Sequence, residues 1–308
     1  MKVRVGVAGW DYKDWHGKVY PDPMPRGIHP LDILSVFLDC VEINSSFYGL
    51  PNPRNAEKWV RLIKGKDFTF EVKLYQGFTH DPTLLTTDTA RQFKIGVQPL
   101  KDADKLDALL VQFPESFHHE QENLKRVKTI HQEFSEYPLV YEMRHKSWAA
   151  EQATDFIAGL GGGLVSIDFP FIADPQNPPL YTTGRQAYIR FHGRNRAHWY
   201  SDKDASRTHE QEEAVKAARY DYQYSGPELD PWVRKIKGAK EKADKVTLMF
   251  NNHFNGQAVA NAIMAKAALT GALVAAPDIP IAHHPSVAPY VTPIPVAAGP
   301  PKSQLLFR

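Results

Sequence analysis

Short runs rich in β-branched and aromatic residues recur along the chain, separated by longer stretches in which apolar residues return at helical spacing. The runs are 3–8 (VRVGVA), 41–47 (VEINSSF), 68–74 (FTFEVKL), 109–113 (LLVQF), 139–143 (LVYEM), 164–169 (LVSIDF), 187–191 (AYIRF) and 246–250 (VTLMF). Each is bounded by turn residues, as strands are. Helical periodicity fills 30–37, 55–63, 83–95, 120–134, 151–160, 231–243 and 257–269; in the fourth of these Leu124, Val127, Ile130 and Phe134 mark one face. Strand alternating with helix implies parallel strands joined by right-handed crossovers. Eight such units predict an α/β fold, a single (β/α)8 TIM-like barrel over residues 1–276. The rival is an open doubly wound sheet, which binds a dinucleotide through a glycine-rich first turn. Here that turn reads Ala8-Gly9-Trp10-Asp11-Tyr12, without G-x-G-x-x-G. A long loop, 201–222, follows the seventh strand and is helical around 210–218. From 277 to 308 proline interrupts all periodicity, so this segment reads as an extended arm on the surface or a linker.

Within the strands the polar positions are not scattered. Side chains alternate between the two faces of a strand, so Arg190 and His192 share a face while Ile189 and Phe191 take the other. The same spacing pairs Glu42 with Asn44, Glu71 with Lys73, and Glu142 with Arg144. Strand four adds Gln112, strand six Asp168, and strand eight is followed by Asn251 and Asn252. In a barrel, inward side chains near the C-terminal strand ends form the site. An unpaired buried charge costs several kcal/mol, so polar residues near one end of nearly every strand point to a functional mouth. Some can instead form a structural layer of ion pairs, with Glu71 and Arg190 as the expected partners lower in the barrel.

Composition narrows the alternatives. The 308 residues are 43% hydrophobic and 23% charged, with a net charge of +2, as expected for a globular protein with a sizeable core. Near-neutrality means that any basic surface must be local. Cys40 is the single cysteine, which excludes an intramolecular disulfide and a cysteine-based zinc site. No H-E-x-x-H or similar ligand spacing is present, and His118-His119 and His283-His284 read as solvated loop pairs. No cofactor is indicated. The chain opens directly on a strand-like run and carries no apolar stretch of membrane-spanning length, so the expectation is a cytoplasmic protein without a signal peptide.

Aromatic residues crowd the same expected rim: Trp10, Tyr12 and Trp15 after strand one, Phe47 and Tyr48 after strand two, Trp148 after strand five, and Trp199, Tyr200, Tyr220, Tyr222 and Tyr224 after strand seven. Arg194 and Arg196 sit among the last group. Rings interleaved with guanidinium groups stack nucleobases or sugars, although any single ring more commonly pins a loop to the barrel.

The segments GVAGWDYKDWHGKVYP, FLDCVEINSSFYGLP, FEVKLYQGFTH, VQFPESF, YEMRHKSW, IDFP, YIRFHGRN, RYDYQYS and MFNNHFNGQAVANA, in this order between residue 5 and about 270, resemble the YecE-like family, domain of unknown function 72. The resemblance implies a TIM-like barrel and no particular activity. It places recurring strand-end residues at Glu42, Asn44, Lys73, Glu142, Arg144, Asp168, Arg190, His192, Asn251 and Asn252. The C-terminal SQLLF is similar to the short peptides that bacterial replication and repair proteins insert into the sliding clamp. Here Gln304 is followed by one residue rather than two before Leu306 and Phe307. Three functional expectations follow. The first is a barrel binding nucleic acid or another phosphate-containing ligand, as a phosphodiester hydrolase in DNA repair. Glu142, Asp168, His192 and Glu42 would then be the catalytic groups, and Asn44, Lys73, Arg144, Arg190, Arg194, Asn251, Asn252, Trp10 and Tyr200 would bind the ligand. The second is a glycoside hydrolase or carbohydrate-binding barrel using two of the carboxylates. The third is a scaffold acting through Gln304, Leu306 and Phe307.

Overall fold

The computed structural model describes residues 1–199 and 217–295, together with 208, 211 and 215. Eight parallel strands close into a barrel in sequence order. They are β1 (Lys2–Ala8), β2 (Cys40–Ile43), β3 (Thr69–Lys73), β4 (Leu106–Gln112), β5 (Leu139–Glu142), β6 (Gly163–Asp168), β7 (Gln186–Phe191) and β8 (Lys245–Phe250). The crossover helices are α1 (Pro30–Phe37), α2 (Pro53–Leu62), α3 (Thr87–Asp102), α4 (Gln121–Phe134), α5 (Glu151–Gly159), α6 (Gly226–Gly238) and α7 (Gln257–Thr270). This is the expected TIM-like architecture.

Alternation sorts the strand residues into two cores. Outward residues such as Val41, Phe70, Val111, Ile189 and Phe250 meet the apolar faces of the helices. Inward residues form a smaller plug of Ala8, Cys40, Ala108, Leu110, Val140, Val165, Tyr188 and Met249. Because the plug fills the middle of the cylinder, polar inward residues lie above and below it. Cys40 is buried as expected.

The strand seams are unequal. β1 and β8 are in register over six residue pairs, from Lys2–Lys245 to Val7–Phe250. β5 and β6 share two, Val140–Gly163 and Tyr141–Leu164. β6 runs on to Asp168 against β7 alone. The barrel wall is therefore open between the upper ends of β5 and β6.

Part of the proline-rich segment is folded. After β9 (Val274–Pro277), a helical turn at Ile279–His283 and a 3-10 stretch at Pro285–Tyr290 lead into β10 (Val291–Ile294), which pairs in parallel with β9. Val287 is buried. His284 is also buried and is engaged by the Asn255 carbonyl at 2.9 Å and Gln223 Oε1 at 3.0 Å. It is thus a docking residue rather than a solvated one. Residues 296–308, with Gln304, Leu306 and Phe307, lie outside the described residues, as do Tyr200 and most of the 201–216 loop.

Candidate functional site

Arg190 is the centre of the mouth. It projects inward from β7, is 1% exposed, and donates to two carboxylates at once. Nη2 reaches Glu42 Oε1 on β2 at 2.6 Å, and Nη1 bonds Glu142 Oε2 on β5. One guanidinium thus bridges three strands that are far apart in sequence. Burial works against its charge, but Glu142 and Glu42 outweigh burial and hold it protonated. Burial would likewise raise the Glu142 carboxyl, yet Arg190, Arg144 and His192 hold it well below the usual range. Arg144 Nε contributes a second donor at 2.8 Å from Glu142 Oε1. Glu142 is therefore ionised and neutralised, and a weak base.

His192 stands above Arg190 on the same face, fully enclosed. Asn251 Nδ2 donates to its Nδ1 at 3.0 Å, which leaves the ring proton on Nε2. Nε2 lies 3.6 Å from Glu142 Oε2 and makes no hydrogen bond. Burial lowers its pKa to about 4 against the pull of Glu142. At neutral pH it is an uncharged ring presenting one N–H.

Lys73 ends β3. It is 8% exposed, its Nζ sits 3.8 Å from the centre of the Phe47 ring, and among the described residues it has no hydrogen-bond or carboxylate partner. Burial, followed by repulsion from Arg190, lowers its pKa to about 7. Phe47 is positioned by the turn Ser45–Tyr48, closed by Ser46 Oγ on the carbonyls of Ile43 and Lys73.

Asp168 differs from the other carboxylates. Oδ1 accepts from Arg194 Nε and the Tyr224 hydroxyl, both at 2.8 Å; Oδ2 accepts from Arg194 Nη2 at 2.6 Å and Trp232 Nε1 at 2.7 Å. Four donors fill its acceptor sites. It ties the loops after β6 and β7 to α6, and neither it nor Arg194 is open to a ligand or to catalysis. Two more expected site residues are turned away from the mouth. Asn252 donates to the Tyr222 carbonyl and to Asn261 Oδ1 behind β8. Trp10 packs on Trp59 and Phe70, in the layer between barrel and helices. Asn44 lies at the end of β2, its Oδ1 buried without a hydrogen-bond partner. The expected Glu71–Arg190 pair does not form. Glu71 lies deeper, beside Asp107, and Arg190 is drawn upward to Glu42 and Glu142.

Beside these residues lies a cavity of about 630 Å³, lined by residues of β4 to β6 and by the segments that follow β3 to β7. Arg144, His192, Gln112, His80 and Arg219 supply its polar wall; Met143, Trp148, Ile167, Phe169, Tyr181 and Trp199 supply much of the apolar one. Glu115 is the carboxylate on the lining. Arg144 is half-buried, and its two terminal nitrogens have no partner among the described residues. Arg219 Nε is buried without a hydrogen bond. Strand alternation cannot reveal Arg219 or His80, because Arg219 lies in a turn before β8 and His80 ends the short helix Gln76–His80 after β3. No group of three or more potential metal ligands is present among the described residues. No helix there is long and apolar enough to cross a membrane.

Fold and mouth together define a TIM-like barrel whose strand-end carboxylates are neutralised by arginine beside a cationic cavity. The chain belongs to the family described as "Protein of unknown function DUF72", whose model matches residues 4–282. It is 29% identical over 270 residues to UPF0759 protein YunF of Bacillus subtilis, covering 84% of this chain and 92% of that protein. Crystal structures of DUF72 family proteins show the same architecture. One from Enterococcus faecalis has a TM-score of 0.72 at 26% identity, covering 87% of this chain and 95% of its own. One from Thermotoga maritima has a TM-score of 0.70 at 28% identity, covering 88% and 100%.

Proposed function

We propose that the mouth binds a small phosphate-bearing ligand, its anion held by Arg144 and Arg219 and its body lying along the apolar wall of the cavity. The observation that carries this reading is the division of labour around Glu142. The mouth carboxylates Glu42 and Glu142 are already bonded to arginine, while Arg144 keeps two nitrogens for an outside oxyanion. Planar, paired donors of this kind suit phosphate. The cavity volume falls within the range of small-molecule sites, about 300–1,000 Å³. It takes a nucleotide or one unstacked residue of a single strand, with the ring of Phe169 or of Trp199 to stack on.

The same neutralisation weighs against the other chemistries. A glycosidase needs one carboxyl protonated and another free to act on sugar or water, but Arg190 is wedged between Glu42 and Glu142. Phosphodiester hydrolysis needs a base for water, and Glu142 and Asp168 are both occupied. Binding, rather than hydrolysis, is the activity this geometry favours.

Titration calorimetry with inorganic phosphate and adenosine 5′-monophosphate tests the reading. Arg144→Gln removes charge-assisted bonds worth about 1.5–3 kcal/mol, so affinity should fall roughly tenfold or more. Equal affinity for a neutral nucleoside, or no effect of Arg144→Gln, would overturn it. Binding of single-stranded DNA that weakens steeply with salt would extend the site to nucleic acid.

A further inference from the structure

Neither the fold nor anion binding accounts for Lys73. A lysine this enclosed ordinarily has a carboxylate beside it, because isolated burial of an ammonium is costly. Here the nearby carboxylates Glu42 and Glu142 are bonded to Arg190 and Arg144. Lys73 faces the Phe47 ring, and burial with the positive charge of Arg190 and Arg144 outweighs the pull of Glu42 and Glu142. Burial in an apolar setting next to another cation is the arrangement that turns a lysine into a nucleophilic amine. Lys73 also sits on the inward face of β3 at the end of the barrel where reacting groups gather. The charges of Lys73, Arg144 and the cavity-lining His80 act on one another.

We propose that Lys73 captures the carbonyl carbon of a phosphorylated aldehyde or ketone as a Schiff base. The inference rests on the reading of the mouth as a phosphate site and names the class of ligand. The nitrogen lone pair forms a C–N bond while the C=O bond breaks. Two of the three ammonium protons leave with the carbonyl oxygen as water, and the third stays on the iminium nitrogen. No oxidant or further reactant is needed. Arg144 and Arg219 would hold the phosphate of the same molecule, fixing which carbon meets the amine.

Dihydroxyacetone phosphate with sodium borohydride tests this on the full-length chain. Hydride reduction fixes the imine as a stable amine, heavier than the protein by the mass of the ketone less one oxygen atom. Peptide mapping should place the adduct on Lys73, and inorganic phosphate should compete it away. The trapping rate at Lys73 should level off above a pH of about 7, whereas surface lysines keep rising towards their ordinary pKa of about 10.4. Lys73→Arg, checked for folding by circular dichroism, should lose the adduct. An adduct spread over surface lysines at similar rates overturns the inference. Calorimetry on the same wild-type sample separates the two ideas: phosphate binding without a Lys73 adduct removes the Schiff base alone, and absence of both removes the anion site with it.

Discussion

Glu71 shows how one side chain can be read correctly for position and wrongly for partner. Strand alternation places it inside the barrel, where it is fully buried. Its neighbours there are Asp107, itself paired with Lys245 at 3.1 Å, and the more distant Glu42. Burial first, then the Asp107 charge, push its carboxyl well above the usual range. It therefore keeps its proton in the folded state, with neither oxygen hydrogen-bonded. A carboxyl raised on folding contributes stability that is complete below its unfolded pKa of about 4.3 and is lost as pH rises through the folded value. Glu71→Gln should abolish that loss. In urea titrations at pH 5 and pH 9, the variant should gain on the wild type at the higher pH, and an unchanged difference would refute the protonated assignment. Sequence spacing exposes part of what converges at the mouth: Glu42, Glu142, Arg144, Arg190 and His192 meet there, whereas Asp168 and Asn252 do not. It does not expose which oxygen an arginine chooses, since that depends on height within the cylinder and on loops arriving from elsewhere. Asp168 makes the point: its four donors come from β6's neighbour loop, from Tyr224 and from Trp232 on α6.

At the level of elements, the eight strands were legible because each is a compact apolar run, and the errors lie where a turn reuses strand-like residues. The run 41–47 looks continuous, yet the chain bends into a helical turn at Ser45–Tyr48, closed by the Ser46 hydroxyl. The start of α6 was expected at Pro231. It begins at Gly226 because Ser225 and Glu228 form a reciprocal capping box, a signal present in the sequence as S-x-x-E. α2 likewise starts earlier, with Asn52 rather than Asn55 as its cap. β1 and β2 approach closely at Gly6. A Cβ on Gly6 would lie 2.1 Å from the Cys40 carbonyl oxygen and 2.7 Å from its Sγ. The clash is with backbone, so only separating the two strands relieves it. Gly6→Ala should cost at least the roughly 1–3 kcal/mol typical of overpacking, read as a lower denaturation midpoint; an unchanged midpoint would mean that this seam yields.

For the molecule as a whole, the barrel was predictable and the course of its tail was not. Proline-rich composition marks a segment that avoids long helices and central strands, but carries no information on where such a segment rests. Here β9 and β10 pair with each other, and Val287, Val291 and His284 are buried as the segment doubles back. The stretch 277–295 is thus a structural part of the barrel domain. A chain ended after residue 295 should be more stable than one ended after residue 276, by about 1.5–3 kcal/mol for each large apolar side chain re-exposed. Thermal denaturation of the two truncations decides it, and equal midpoints would show that docking contributes nothing.

The early parting of β5 from β6 has a consequence for how ligand preference can evolve. An axial well would force every group of a guest past the same ring of charges. On the proposed reading, a ligand with its anionic head against Arg144 would lay its tail along the apolar wall of the cavity. Head and tail would then meet different surroundings: the head an ion-pair lattice that joins three strands, the tail the side chains of Met143, Ile167 and Tyr181, which are outside that lattice. On that reading, a substitution at Met143, Ile167 or Tyr181 would change which tail fits and leave the anion's anchor in place.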